Sequence, residues 1–264
     1  MIVGSVQRWR EKRGAYRPAG EPISTIAHEV ASIPDDTTAK AFVLEHHYSG
    51  SYPPARRRFG LYRGELLVGV AVFSVPVNPR ALNPAPGDAS SRAELGRLVL
   101  LDEVAANGES WFVARCFELL AREGFTGVVS FADPVPRSTA TGELVMPGHL
   151  GTVYQALNAV YVGRSKPETK LLLPDGTAFP ARAVAKIKSG DRGWRYAVDR
   201  LVDHGAEPLD GDPKSWLERE LPRVTRRQRH GGNLKYAWAL TRAGKRSMPT
   251  SMPYPKVLQF GLGK

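Results

Sequence analysis

Apolar and polar positions alternate or repeat along this chain in a way that lays out most of its elements. A helix is predicted from Asp35-Asp36, acids suited to a first turn, through Lys40–Glu45 to His46-His47-Tyr48-Ser49-Gly50. The prolines of SYPPARRR cannot continue it. Two β-rich runs, Phe59–Arg63 and Leu66–Pro76, meet at Arg63-Gly64 and predict a hairpin. Residues 77–92, full of Pro, Asn, Ser and Gly, read as a loop, and Glu94–Leu101 (ELGRLVLL) as the next strand. Phe112, Val113, Cys116, Phe117 and Leu120 form one apolar stripe at helical spacing, so a helix is expected over Trp111–Glu123. Ser110 stands at its N-cap and Gly124 at its close. With Gly127–Phe131 as a strand, the order strand, helix, strand makes a parallel crossover. A hairpin ahead of a crossover implies a mixed sheet.

The stretch Ser130–Arg164 then concentrates polar chemistry. It delivers Asp133 from the end of an apolar strand into a loop rich in Gly, Pro, Ser and Thr, presents Tyr154 on a short helix (about Leu150–Leu157), and returns as a strand over Ala159–Gly163. Beyond Ser165 the character changes. Leu171-Leu172-Leu173 and Thr177-Ala178-Phe179 flank Pro-Asp-Gly, a hairpin signal. Trp194, Ala197, Val198, Leu201 and Val202 mark an amphipathic helix, and Asp212 caps a further helix from Pro213 to Glu220. The division expected is therefore 1–165 as a core with a basic N-terminal arm, and 166–264 as a helical, basic extension.

Composition adds limits. At 264 residues and 42% apolar, the chain has material for one sizeable core plus an appended region. Its apolar runs fall short of the roughly 20 residues of a membrane span, and its N-terminus lacks the apolar centre of a signal peptide. With Cys116 as the lone cysteine, the expectation is a chain in the reducing cytoplasm, away from membranes. Cys116 itself reads as a small buried hydrophobe rather than a nucleophile. The net charge of +11 is placed unevenly: Leu221–Lys264 holds ten Lys or Arg and no acid, which leaves 27 basic against 26 acidic residues before it. A block of one sign reads as a surface for a polyanion, here nucleic acid, against the plainer reading of a disordered basic tail. Arg226, Arg227, Arg229 and Lys235, interleaved with Tyr236 and Trp238, suit phosphate contact with base stacking, and Arg56 and Arg57 join that set. An edge strand kept soluble by charge would look the same. Arg8, Arg10, Lys12, Arg13 and Arg17, with Trp9 and Tyr16 between them, read as a phosphate-contacting arm or a frayed end.

Among the chemistry-bearing residues, Asn107-Gly108-Glu109-Ser110 occupies a helix N-terminus, where free N–H groups suit an anion. No GxGxxG or GxxxxGK[ST] accompanies it. Asp133 before Pro134 also suits a plain turn, and Tyr154 alone also suits a core. A phenol nevertheless serves as a general acid when its proton is well placed. His46, His47 and His149 carry no closely spaced metal-ligand motif.

The order hairpin, ELGRLVL strand, AANGES loop, helix, VVSFADP strand, GHLGTVYQALNAVYVGRS resembles the GNAT acyltransferase fold, which implies a mixed, mostly antiparallel α/β (α+β) core with flanking helices, splayed around an acyl-coenzyme A. His47-Tyr48, Ser110, Ser130-x-Ala132-Asp133-Pro134 and His149-x-Gly151-Thr152-x-Tyr154-Gln155-Ala156 resemble more closely the Mom family of phage DNA-modification proteins, and HGGNLKYAWAL with the later PYPK resembles that family's ending. The resemblance covers residues 40–165 well and 221–256 loosely. It implies transfer of a carbamoylmethyl group to adenine N6 in double-stranded DNA, as protection of phage DNA from restriction, in the cytoplasm of the host. It also implies roles. Asp133, Tyr154, Tyr48 and Ser110 become catalytic candidates, and His47 with Asp133 an iron pair. Asn107, Gly108 and Ser110 become contacts of an acetyl- or other acyl-coenzyme A. Two other readings stand beside it: an acyltransferase for another amine (a hypermodified base, a protein or a small molecule), and a DNA-binding protein without catalysis. The oligomeric state is left open, a dimer included.

Overall fold

The computed structural model describes residues 5–10 and 12–256. In chain order its elements are β1 (Ser5–Arg10), β2 (Arg13–Pro18), β3 (Glu29–Ser32), α1 (Asp36–His46), β4 (Ala55–Arg63), β5 (Leu66–Ser74), β6 (Arg92–Leu100), α2 (Gly108–Arg122) and β7 (Gly127–Ala132). There follow β8 (Arg137–Ser138), β9 (Leu144–Met146), α3 (Thr152–Ala156), β10 (Val160–Arg164), β11 (Glu168–Leu172), β12 (Ala178–Phe179) and α4 (Ala181–Ser189). The last are α5 (Arg195–Val202), α6 (Pro213–Val224), β13 (Arg226–His230), β14 (Leu234–Ala239) and α7 (Arg242–Arg246). A 3-10 turn, Pro79–Leu82, lies within the loop before β6.

The described residues form two units. The first takes the chain as far as Pro134, Gly148–Ser165, and the chain from Asn233 onward. Its sheet has seven strands in the order β10-β14-β7-β6-β5-β4-β3. Neighbours are antiparallel apart from β6 and β7, the parallel pair that α2 connects. The mixed, mostly antiparallel α/β architecture expected from the sequence is the one found, including the β4–β5 hairpin. One face is covered by α2, whose Phe112, Val113, Cys116 and Leu120 pack with Phe59, Phe73, Leu95 and Val128. On the other face Ala39 and Val43 of α1 pack on Val70, Val72 and Val99. Coverage on both sides explains why β5 is buried from Val68 onward and reads as a continuous apolar run. Asp35 caps α1 by accepting from the N–H groups of Thr37 (2.7 Å) and Thr38 (3.2 Å).

The second unit takes Val135–Pro147 and Lys166–Gly232. A three-stranded antiparallel sheet, β12-β11-β13, accompanies α4–α6. Its own core gathers Leu173, Phe179, Ile187, Leu201, Leu217 and a fully buried Trp216, whose indole N–H donates to Glu207 O (3.0 Å).

Four sequence expectations change. Residues 135–147 carry a small antiparallel pairing, β8 with β9, rather than an irregular loop. The helix expected to start at Trp111 starts at Gly108 with Asn107 as its cap, so Ser110 lies inside the first turn. Ser5–Arg10 pairs in full register with Arg13–Pro18, β1 with β2. The chain after 165 is not one appendage: β13 belongs to the second unit, whereas β14 enters the large sheet between β10 and β7. Alternating, aromatic-rich LKYAWA is thus an interior strand. Lys264, the last of the ten clustered basic residues, lies outside the described residues.

Both excursions into the second unit leave the first unit through paired stems. At one, the Asp133 and His149 main chains meet, His149 N–H donating to Asp133 O (2.8 Å) and Asp133 N–H to His149 Nε2 (3.3 Å). At the other, Ser165 N–H donates to Asn233 O (2.8 Å) and Asn233 N–H to Ser165 Oγ (2.8 Å).

Candidate active site

The parallel ladder of β6 with β7 stops at Glu94↔Val129, although β6 continues to Leu100 and β7 to Ala132. Beyond that pair, Ser130 Oγ donates to Leu95 O (2.9 Å) in place of a main-chain bond. A sheet that opens in its middle leaves room for side chains to meet from both faces, and they do.

From one face come Glu94 and Arg97. Three residues apart, they would alternate sides on a regular strand. The β5–β6 register, however, slips between Phe73↔Leu95 and Val72↔Arg97, so Gly96 is an extra residue and Glu94 and Arg97 emerge together. Glycine is required there because a Cβ at position 96 would sit 2.5 Å from Ser74 Oγ. Arg97 then grips the loop after α1, donating from Nε to Ser51 O (2.8 Å) and from Nη2 to Ser51 Oγ (2.8 Å). Burial pushes the Glu94 carboxyl above its ordinary value, with Arg97 opposing. Burial pulls the Arg97 pKa down, opposed by Tyr48, Glu94 and Tyr154. An arginine remains cationic even so.

From the other face comes Tyr154. The αL conformation of Gly151 (φ 70°) starts its short helix, and a Cβ there would meet the rings of Tyr154 (2.7 Å) and Tyr236 (2.8 Å). Tyr154 packs edge-on against Tyr236 and Trp238, each at 5.5 Å between ring centroids. Burial pushes its phenol up to about 12; its hydrogen bond with Ser130 works against this, and the charges of Tyr48 and Glu94 add to it. At neutral pH it therefore carries its proton. Tyr236 is likewise raised to about 12 by burial; its hydroxyl donates to Leu150 O and accepts from Gln155 Nε2 (3.2 Å).

Of the residues singled out by sequence, Tyr48 and Tyr154 thus share electrostatic reach of each other and of Arg97. His47 stacks on Tyr48 (4.4 Å). Its Nδ1 lies 3.1 Å from Ser49 N and 2.9 Å from Ser49 Oγ. Asp133 is built into the stem described above. No group of three or more His, Cys, Asp or Glu that suits a metal ion occurs among the described residues.

The α2 start does not fit the diphosphate of a coenzyme A. Asn107 Oδ1 accepts from Ile23 N–H (2.6 Å), Gly108 N–H donates to Ala105 O (2.9 Å), and Ser110 Oγ donates to Asn107 O (3.0 Å). Gly108 is packed so closely that a Cβ would stand 2.6 Å from Val104. Glu109 places a buried carboxylate in the first turn, and Arg8 from β1 meets it (Nη2 to Oε2, 2.9 Å) while also donating to the carbonyls of Leu101, Val104 and Ala105. Burial raises the Glu109 carboxyl, with the Arg8 charge opposing. The positions assigned to a cofactor by sequence are therefore filled by the chain itself.

The basic candidates divide as well. Arg56 donates to Ala89 O (2.8 Å), Arg57 pairs with Glu123, and both guanidinium groups lie near the Phe125 ring. Lys235 lies over Phe131 (5.8 Å). Arg8, Arg10 and Arg17 hold the hairpin to the loop between β6 and α2, so this part of the arm is docked rather than frayed. On β13, Arg226 donates to Ser138 O (2.6 Å), whereas Arg227 and Arg229, two apart on one face, are exposed. Sequence reasoning missed Glu94 and Arg97, and it read Tyr236 as a base-stacking residue where the structure buries it against Tyr154. The signal was Glu-x-Gly-Arg in a strand, since an interior strand glycine marks a bulge.

Residues 27–256 match the Mom protein family. The chain matches no curated protein. Among solved structures it is similar to a tandem GNAT protein from the clavulanic acid biosynthesis pathway, without acetyl-CoA (TM-score 0.43, 10% identity, covering 81% of this chain and 99% of that one). It is also similar to a Bacillus subtilis acetyltransferase in complex with CoA (TM-score 0.33, 7% identity, covering 81% and 98%). No helix among the described residues is long and apolar enough to cross a membrane.

Proposed function

The chain belongs to the Mom protein family, and from that premise we propose that it is a transferase acting on the exocyclic amine of adenine in DNA, adding a carbamoylmethyl group to N6. The observation that carries this reading is the meeting of Glu94, Arg97, Tyr48 and Tyr154 where β6 and β7 part. Adenine N6 is a weak nucleophile because its lone pair is delocalised into the ring, so it needs a base beside it. A carboxyl raised by burial is suited to take that proton, and Glu94 has this property. Tyr154, protonated up to about 12, donates a hydrogen bond to the oxygen on which negative charge develops. Arg97 supplies a fixed positive charge in a water-poor site. For the product to be carbamoylmethyl, the donor carries that group on a leaving group: the bond from N6 to its CH2 carbon forms as the carbon–leaving-group bond breaks, and Glu94 takes the N6 proton.

A base inside a duplex is out of reach, so the adenine is flipped out at a cost of a few kcal/mol. Phosphate contacts offset that cost and weaken steeply with salt. Arg227 and Arg229 on the exposed face of β13 are the residues assigned to them. A second reading, transfer to a different amine, is favoured by the intramolecular engagement of Arg56, Arg57 and Lys235.

Mass spectrometry of nucleosides from DNA of cells making the protein tests both readings. A carbamoylmethylated deoxyadenosine, lost with Tyr154→Phe, is the expected result. Unchanged deoxyadenosine in every digest overturns the first reading in favour of the second.

A further inference from the structure

The family match begins at residue 27, yet a segment ahead of it reaches the reaction centre. The β1–β2 hairpin is pinned from one face by Arg8, which is 2% exposed and bonded to Leu101 O, Val104 O, Ala105 O and Glu109. Adjacent strand residues point to opposite faces, so Trp9 leaves the hairpin on the other side. Its ring lies 4.2 Å from the Tyr48 ring, which in turn stacks at 4.4 Å on His47, with Trp9 and His47 6.4 Å apart. Tyr48 thus sits in a three-ring cluster, with one ring from the loop it belongs to and one from a segment outside the family match. The same loop is gripped from beneath by Arg97 through Ser51.

We propose that Trp9 is a positioning residue that fixes the Tyr48 ring, and through it the Tyr48 hydroxyl, at the opening between β6 and β7. A tyrosine side chain on a loop has two free torsions, and without a second ring packed against it several rotamers open. Offset ring contacts of this kind select one of them. The hairpin is the means of delivery, because the Arg8 anchorage leaves β1 no freedom to carry Trp9 away. The catalytic side of this inference rests on the adenine-modifying reading; the positional side does not.

The test uses the full chain with 3-fluorotyrosine in place of Tyr48, in the parent and in Trp9→Leu and Trp9→Phe. Leucine keeps apolar bulk without a ring face, and phenylalanine keeps a ring. The expected result is a displaced, broadened fluorine resonance in Trp9→Leu and a near-parental one in Trp9→Phe. In the modification assay, kcat falls about tenfold in Trp9→Leu with KM for DNA within about twofold, and Trp9→Phe restores most of it. Tyr16→Ala, an exposed change on the same hairpin, leaves both readouts at parental values. An unmoved resonance in Trp9→Leu overturns the proposal, as does an equal displacement in Tyr16→Ala. If the parent protein modifies no DNA, the functional reading fails while the fluorine spectra still decide whether Trp9 positions Tyr48.

Discussion

Two places on the β6–α2–β7 crossover are equipped to receive a ligand, and the chain has treated them in opposite ways. At the start of α2 the free N–H groups of a helix N-terminus meet an asparagine cap, a close-packed glycine and a buried Arg8–Glu109 pair. At the opening of β6 from β7, the same strand turns two charged side chains to one side by a one-residue slip and leaves them beside a protonated phenol. Both use a glycine. Gly108 lets apolar groups close in, whereas Gly96 lets polar groups converge. A glycine in a ligand-ready location thus carries no meaning until its neighbours are known.

The largest effect expected from breaking this contrast lies at the opening. Arg97→Ala and Tyr154→Phe should each lower the rate of DNA modification by about 10²–10³, the range for removing one preorganised donor. Arg97→Lys should recover little, since an ammonium cannot span Ser51 O and Ser51 Oγ as the guanidinium does. Steady-state kinetics on plasmid DNA measure both. At the filled end the effect should be on folding. Arg8→Met leaves Glu109 buried and unpaired, at a cost of about 3 kcal/mol, read as a lower denaturant midpoint.

A smaller effect separates stability from activity at Glu94. Its folded pKa is raised, so its contribution to stability is full below the unfolded carboxylate pKa and declines as pH rises through the folded value. Glu94→Gln should therefore raise Tm at neutral pH relative to the parent while abolishing turnover, and the Tm difference should vanish in acid. Acting as a base, Glu94 also makes kcat/KM fall as pH drops through its raised pKa. The smallest effect sharpens the comparison from the other side: Ser110→Ala, which removes only a bond to Asn107 O, should change the rate less than about twofold. A large loss there would restore the helix start as a ligand site.

Local patterns were legible in the sequence and long-range ones were not. The β4–β5 hairpin, the crossover and the stripe of α2 follow from spacing within a dozen residues, and all are present. Tyr154 was legible because its helix follows a left-handed glycine in an otherwise polar stretch. Glu94 and Arg97 were not, because a regular strand puts residues three apart on opposite faces and the slip that changes this is set by pairing with β5. β14 was hidden for a related reason: its partners are β7 and β10, distant in sequence, and its basic surroundings suggested a surface. The helix start moved from Ser110 to Asn107, and the Asn107 side chain turns away from the helix to accept from Ile23 N–H, far away in the chain.

The stem at Ser165 and Asn233 has a consequence for how such chains change over time. β10 and β14 are antiparallel neighbours with Arg164 opposite Leu234, so everything from Lys166 to Gly232 hangs from what is topologically the bend of a hairpin. A tight turn of a few residues could replace the whole excursion without moving any strand of the large sheet. Exchange of this cassette would carry away the exposed arginines of β13 and leave the strands that hold the reacting residues in register.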